Sequence, residues 1–441
     1  MKPKIGLMTL SLPRERVDLA IKWNKIAIEK IKEKNIDVIY KEELVYNIED
    51  SLKTTKEFIS KGVDCIIYLI GTWIYVPMIV NAALESNVPI LLWSIKDPAT
   101  FSLTGAGIAH GSLDEIGIKH KFIYGSPEDE DTLNKIITYA YASMLKNRLR
   151  KQKIGLIGGK PSGMYTTMVD MSQIKSLFGI EIEHVDQYRV FLEAENVNEK
   201  TINETYENIK KDFGKILCPE EKIRKSIRLY HALKKIINED RYDFIAVKCE
   251  DEMLNYYVSY CLAVALLNDE GIVTACEGDL NAALTMQLLH MLSDEPVVFA
   301  DVNDVDLDKK VLRLVNCGAI ATKLAKSRKD IDLDLQYEYM GKQQGCTTVF
   351  CCKPGKVTLA RLSRIKGKYV MLIAFGEAFE EPKEKFKETR EKWPHAFIKI
   401  DGDIEKLLEN IRSNHMHMVY GDYKDILIEF CKLMDIEPII I

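Results

Sequence analysis

Residues 63–93 read VDCIIYLIGTWIYVPMIVNAALESNVPILLW. Residues 63–70 form an apolar run without alternation, a helical stretch around 79–85 follows, and 88–93 is a second apolar run. A strand that is apolar at consecutive positions is buried on both faces, and two such strands joined through a helix make a parallel unit. Working back towards residue 1, the same pattern holds. Residues 5–8 and 38–40 read as strands, and between them Val17, Ile21, Ile28 and Ile31 line one face of a helix. Residues 1–148 are therefore expected to form an α/β domain whose parallel sheet is covered on both faces.

Working forward, a helix over 131–149 ends in the basic run NRLRKQK, and the pattern then restarts. Residues 153–157, 180–185 and 243–247 read as strands. Ile202, Tyr206, Ile209, Phe213 and Ile216 share one helix face, and Ile223, Ile227, Tyr230, Leu233 and Ile237 share another. A second α/β domain is expected over 149–293. From 294 to 441 the pattern becomes β-rich. Residues 357–362 and 369–374 read as antiparallel strands with Gly367 in the turn, and helices are expected near 404–411 and 423–434. The fold class read from the sequence is α/β: two Rossmann-like parallel-sheet domains followed by a β-rich α+β C-terminal domain.

Composition narrows the function. The chain has 441 residues, 47% of them hydrophobic, enough for large cores, and 29% charged, with a net charge of −5. No clustered basic block appears, which argues against a nucleic-acid partner. The Lys-rich stretches 22–34 and 383–392 are interleaved with Glu and read as solvated helix faces. The apolar run 65–76 is too short to span a bilayer, and the first residues lack the apolar core of a signal peptide. A cytoplasmic protein without a membrane partner is expected. Ten cysteines raise the question of a metal site, but no pair has CxxC spacing. Adjacent Cys351 and Cys352 would point to opposite strand faces as small apolar residues.

Three segments carry candidate chemistry. The turn GLIGGKPSG (155–163) follows a strand but matches neither the P-loop nor GxGxxG. It reads as a tight strand-to-helix turn at the mouth of a cleft. CEGDLNAALTMQLLH (276–290) and FADVND (299–304) place Glu277, Asp279 and Asp301 just beyond apolar runs. Carboxylates there either reach solvent or pair with a cation, and a divalent metal is the natural partner. In SNHMHMVYGD (413–422), His415 and His417 alternate and would face one side of an extended segment. The other histidines have no comparable context and read as structural or exposed.

The order CEGD…FADV…NxG…KPGxVTLARL…NHxH…YGD resembles the L-fucose isomerase family, whose cousins include the L-arabinose isomerases. The resemblance runs through the whole chain in domain order and is strongest beyond about residue 245. It implies that Glu277, Asp301 and His415 bind one divalent metal, usually manganese, and that Glu277 and Asp301 are also the catalytic acid/base pair. Asp279 is the reserve candidate. Asn316 and Gly318 match as well. By the same comparison Trp73, Trp393, Lys248 and Asn414 are candidate substrate-binding residues. The two tryptophans could equally be core, and Lys248 could be held in an ion pair with Glu250 or Asp251.

The function this implies is a metal-dependent aldose–ketose isomerase acting on a pentose or 6-deoxyhexose-type sugar through an enediol, with no NAD or flavin. The competing readings are a metal-dependent aldolase, whose metal is usually held by several histidines, and a non-catalytic sugar-binding or regulatory protein. The family also implies a homo-oligomer, a hexamer whose sites are completed by a neighbouring subunit's first domain.

Overall fold

The computed structural model describes residues 1–161, 163–336, 345–389 and 392–441. The chain divides into two compact units, 1–149 with 425–435, and 150–424 with 436–441.

The first unit alternates strands and helices throughout: β1 (Lys4–Leu10), α1 (Val17–Lys32), β2 (Asp37–Tyr40), α2 (Ile48–Ser60), β3 (Cys65–Ile70), α3 (Pro77–Glu85), β4 (Ile90–Ile95), α4 (Ser102–Glu115), β5 (His120–Gly125) and α5 (Glu130–Leu149). The five strands are all parallel in the order β2-β1-β3-β4-β5. The strand order reverses between β1 and β3, which opens a crevice beyond their carboxyl ends. β3 and β4 are buried at every position, as their unbroken apolar sequence requires. β5 was not legible in the sequence. Only two of its six positions are fully buried, and it begins with His-Lys, so no long apolar run marks it.

The second unit starts with another parallel layer: β6 (Lys153–Ile157), α6 (Met171–Phe178), β7 (Glu181–Val185), α7 (Gln187–Glu195), α8 (Glu199–Asp212), α9 (Glu220–Asp240), β8 (Phe244–Val247), α10 (Glu252–Tyr256), α11 (Cys261–Asp269), β9 (Thr274–Ala275) and α12 (Leu280–Ser293). Its strand order is β7-β6-β8-β9. The remaining elements are β10 (Val298–Asp306), β11 (Val311–Val315), β12 (Asp332–Leu335), β13 (Cys346–Val349), β14 (Gly355–Ile365), β15 (Lys368–Phe379), β16 (His395–Ile400), α13 (Ile404–Glu409), β17 (His415–Tyr420), α14 (Lys424–Met434), which belongs to the first unit from residue 425 on, and β18 (Glu437–Ile440). Strands β14, β17, β10, β11, β16 and β15 form a ring closed by the β14–β15 hairpin. Closure leaves no free edge within the ring. β18 adds parallel to the first half of β15, whose second half pairs with β16.

The expected boundary at 149 coincides with the seam between units, whereas 293/294 falls at the end of α12, inside the second unit. The reason is α12 itself, which is buried on nearly all sides. A helix apolar all round must be enclosed. It packs on β8 and β9 and also on β14 and β17, so sheet and barrel share one interior. The helix expected to run to Ile216 stops at Asp212, and Phe213 turns extended and buries its ring. In 383–392, the described part is a 3-10 turn over Lys383–Glu388 with Phe386 buried; residues 390 and 391 lie outside the described residues, as does 162 in the Gly-rich turn. All ten cysteines are free thiols. Cys218 and Cys346 approach to 2.7 Å, Cys249 and Cys276 to 3.5 Å, and Cys261 and Cys317 to 3.7 Å. Among the described residues no helix is long and apolar enough to cross a membrane.

Candidate functional site

Glu277 and Asp279 sit beyond the carboxyl end of β9, on the four-residue turn into α12. Ligands in open α/β sheets bind at these ends. The turn is tight. Gly278 has φ +61, and a Cβ there would come within 2.8 Å of the Gly159 carbonyl oxygen. The GLIGGKPSG turn therefore packs directly beneath CEGD. Glu277 also takes a left-handed conformation, φ 58, unusual for a residue with a Cβ and of a kind found where surrounding structure fixes a functional side chain.

The barrel supplies the facing groups. Asp301 does not lie past the end of its strand, as the sequence suggested, but within β10, directly opposite His415 of β17 and Val315 of β11. Val315 in turn pairs with His395 at the start of β16, so this register row lies along one rim of the barrel. His415 and His417 are both fully buried on one face of β17, with Phe299 against both rings at centroid distances of 4.3 and 5.6 Å.

These two layers bring Glu277, Asp301 and His415 together. One ligand atom from each lies within 4.8 Å of the others. His415 Nε2 is 3.0 Å from Glu277 Oε2 and 3.7 Å from Asp301 Oδ1. Asn414 donates its amide to Asp301 Oδ1 at 2.9 Å and lies 3.0 Å from His415 Nε2. Behind the imidazole, His415 Nδ1 donates to Asp279 Oδ2 at 2.7 Å. Asp279 is fully buried and pairs with the Arg361 guanidinium at 2.9 Å, while its Oδ1 caps α12 by accepting from the Ala282 amide. Arg361 Nη1 reaches His417 Nε2 at 3.2 Å.

The electrostatics follow from this arrangement. Some 40% of the Asp301 side-chain surface stays open. Even so, partial removal from water, together with the neighbouring Glu277 carboxylate, pushes its carboxyl up to about 6. Burial alone would lower His415, but hydrogen bonds to Asp279 and Glu277 outweigh it and lift the imidazole to about 9. Burial would raise Asp279, yet Arg361 and His415 hold it well below the usual carboxylate range. His417 is kept well below the ordinary imidazole range by burial and by Arg361. Glu250, just past β8, is raised by burial and then by the charge of Glu277, and so feels the same cluster.

The remaining candidates are placed as follows. Lys248 is buried at the end of β8 and pairs with Glu252 at 2.9 Å. Glu252 opens α10 four residues on. Trp393 is half-buried two residues before His395, where the chain enters the barrel at the rim carrying Asp301. Trp73 belongs to the first unit, in the loop after β3 at the strand-order reversal. There its ring meets Tyr75 edge-on at 5.2 Å, with the Arg14 guanidinium over both rings at 5.4 and 5.5 Å. Asn316 folds back on its own loop, accepting from the Gly318 and Ala319 amides.

Sequence reading gave no role to Arg361 or Arg14. The signal for Arg361 was present in VTLARL, where one guanidinium interrupts a buried, largely apolar stretch of the strand. A buried cation needs an anion, and the acid-rich turn was the available source. Arg14 carried no such signal.

Comparison with known proteins gives two family matches. Residues 2–151 match the family model of the L-fucose isomerase first N-terminal domain, and residues 314–441 match that of the L-fucose isomerase C-terminal domain. His415 lies in the second span, whereas Glu277 and Asp301 lie between the two. The chain is 24% identical to a sulfoquinovose isomerase of Alkalicoccus urumqiensis over 88% of each protein. It is 22% identical to one of Priestia aryabhattai, over 96% of this chain and 95% of that one. It is 24% identical to one of a Clostridium species, over 81% and 83%.

Proposed function

We propose that this chain, which belongs to the L-fucose isomerase family, is an aldose–ketose isomerase that works with a divalent cation, manganese foremost, held by Glu277, Asp301 and His415. The observation that carries this reading is the convergence of two carboxylates and one imidazole within 4.8 Å at the carboxyl end of a parallel sheet. The donor set fits a hard or borderline cation. His415 has its Nδ1 committed to Asp279, which turns Nε2 towards the two carboxylates. Glu277 and Asp301 repel each other across the site, and a cation would relieve that repulsion. When bound, it would supply positive charge to the two sugar oxygens next to the reacting carbons.

The chain's own groups account for the proton movements. Isomerisation takes a proton from C2 of the aldose, forms the enediol, and returns a proton to C1, while a second proton passes between the oxygens. Glu277 and Asp301 form the acid/base pair. Asp301 keeps part of its side chain open beside Glu277, so a carboxylate there can reach a bound sugar to accept and return a proton. Asn414 fixes the Asp301 carboxylate through its amide, and Trp393 at the same rim offers a stacking face for the sugar.

For substrate, the relatives named sulfoquinovose isomerases align over most of their length with this chain. We take sulfoquinovose, a hexose with a sulfonate at C6, as the first candidate. The test is a panel of sulfoquinovose, L-fucose and D-arabinose with manganese, read out as ketose formed. We expect ketose from sulfoquinovose, abolished by chelator and restored by manganese. Ketose from L-fucose or D-arabinose alone would replace the substrate, and turnover unaffected by exhaustive chelation would remove the cation from the reading.

The two histidines of β17 are separable. His415→Ala is expected to abolish manganese binding in a calorimetric titration. His417→Ala, two residues along and bonded to Arg361, is expected to cost no more than about 10–100-fold. Equal losses would show that the ligand has been misassigned.

A further inference from the structure

A second cluster of metal-binding side chains lies within the first unit. His110 and Asp114 are four residues apart on α4 and so share one face, and His120 opens β5 after the turn that ends the helix. One ligand atom from each lies within 4.8 Å of the others. His110 Nδ1 and His120 Nε2 are 2.7 Å apart, and Asp114 Oδ2 is 3.7 Å from His110 Nδ1.

We propose that His110, Asp114 and His120 bind a borderline transition-metal dication such as zinc, at a site distinct from Glu277, Asp301 and His415. Three observations support it. First, His120 is oriented as metal-bound histidines are: its side chain is 1% exposed and its Nδ1 donates to the Ile118 carbonyl at 2.8 Å, leaving the Nε2 lone pair to face His110. Second, the His110 ring is held by stacking on Phe122, with centroids 5.1 Å apart and planes at 8°. Third, the site lies at the carboxyl end of α4, where the helix dipole favours positive charge. The nearby ammonium groups do not compete for it, since Lys119 engages Asp435 at 2.6 Å and Lys121 engages Glu429 at 2.9 Å.

Two imidazoles and one carboxylate suit zinc, with water completing a tetrahedron. Bonds of 2.0–2.1 Å at tetrahedral angles put ligand nitrogens about 3.3 Å apart. The two rings must therefore part by about 0.6 Å. His110, with 43% of its side chain exposed, has the freedom to move, as does Asp114 with 64%. The bound ion would tie the end of α4 to the start of β5.

The test uses full-length protein stripped with chelator and titrated with zinc chloride by calorimetry. Wild type is expected to bind two equivalents. His110→Ala, Asp114→Asn and Glu277→Gln should each lose one, and His110→Ala should keep the manganese-dependent turnover of wild type. Zinc should also raise the Tm of Glu277→Gln protein, but not of a His110→Ala/Glu277→Gln double variant, because an ion that binds only the native state stabilises it. If His110→Ala takes up as much zinc as wild type, with the same affinity, the site is refuted. One equivalent in wild type that disappears in His110→Ala would uphold this site and overturn the cation assigned to Glu277.

Discussion

Glu277→Gln protein is expected to fold normally and to be inactive. Gln keeps the shape of Glu and, like Glu, carries a Cβ, so the left-handed backbone at 277 costs the variant nothing new. What it removes is a negative charge facing His415 and a group able to accept a proton. Losing a positioned acid or base alone typically costs about 10²–10⁴-fold, and loss of metal adds to that. Asp301→Asn should be inactive for the same reasons but differ in stability. Its carboxyl stands against Glu277, so removing the charge relieves a repulsion, and the apo protein's Tm should equal or exceed that of wild type. In D2O, wild type should place deuterium at C1 of the ketose, because a carboxyl exchanges its proton with solvent between taking and returning it. Turnover without deuterium incorporation would mean a hydride shift. Glu277→Gln protein that still turns over with exchange would show that another group is the base.

The fold was legible where one physical requirement dominated. β3 and β4 are buried on both faces, so their apolar runs had one interpretation. β5 carries charge and is only partly covered, and it went unseen. α12 shows the limit most clearly. LNAALTMQLLHML has little polar face to betray a direction, which says that the helix is enclosed but not by what. Only the structure shows a sheet on one side and a barrel on the other, with this helix packed against both. The site divides in the same way. Glu277, Asp301 and His415 could be singled out because they stand in compact motifs. Their separation could not be read, since it depends on the register of β10 against β17. Asp301 was placed after its strand because polar residues follow it, yet β10 continues to Asp306 as the half-exposed wall of the barrel. Lys248 was paired with its immediate neighbours because the short helix α10, which brings Glu252 within reach, has too few residues to leave a periodic signature.

The roles of the two acids in CEGD are where sequence and structure separate most usefully. Asp279 stood as the alternative to Glu277, but it has no exposed surface and every contact described for it points inward: to Arg361, to His415 Nδ1 and to the first turn of α12. Under the proposed assignment it acts as a positioning residue, and its loss should be costly to stability rather than to the chemical step. Asp279→Ala leaves the buried Arg361 guanidinium without its anion, which is expected to cost about 3–5 kcal/mol. It also removes the cap of α12, worth about 1 kcal/mol. Asp279→Asn can keep the cap and should fold more readily, with manganese affinity reduced about 10–100-fold because the imidazole loses its charged acceptor. At saturating manganese its turnover should fall much less than that of Glu277→Gln. Adding Arg361→Met to Asp279→Asn separates the two effects. Removing both charges should recover much of the stability lost by either single change, since no unpaired ion remains. It should recover none of the metal affinity, because His415 still lacks the carboxylate that orients it. Denaturant unfolding and manganese titration of the two single variants and the double variant measure both quantities. Recovery of affinity along with stability would mean that Asp279 acts on the site only by neutralising Arg361. Unchanged affinity in Asp279→Asn would mean that it does not orient His415 at all.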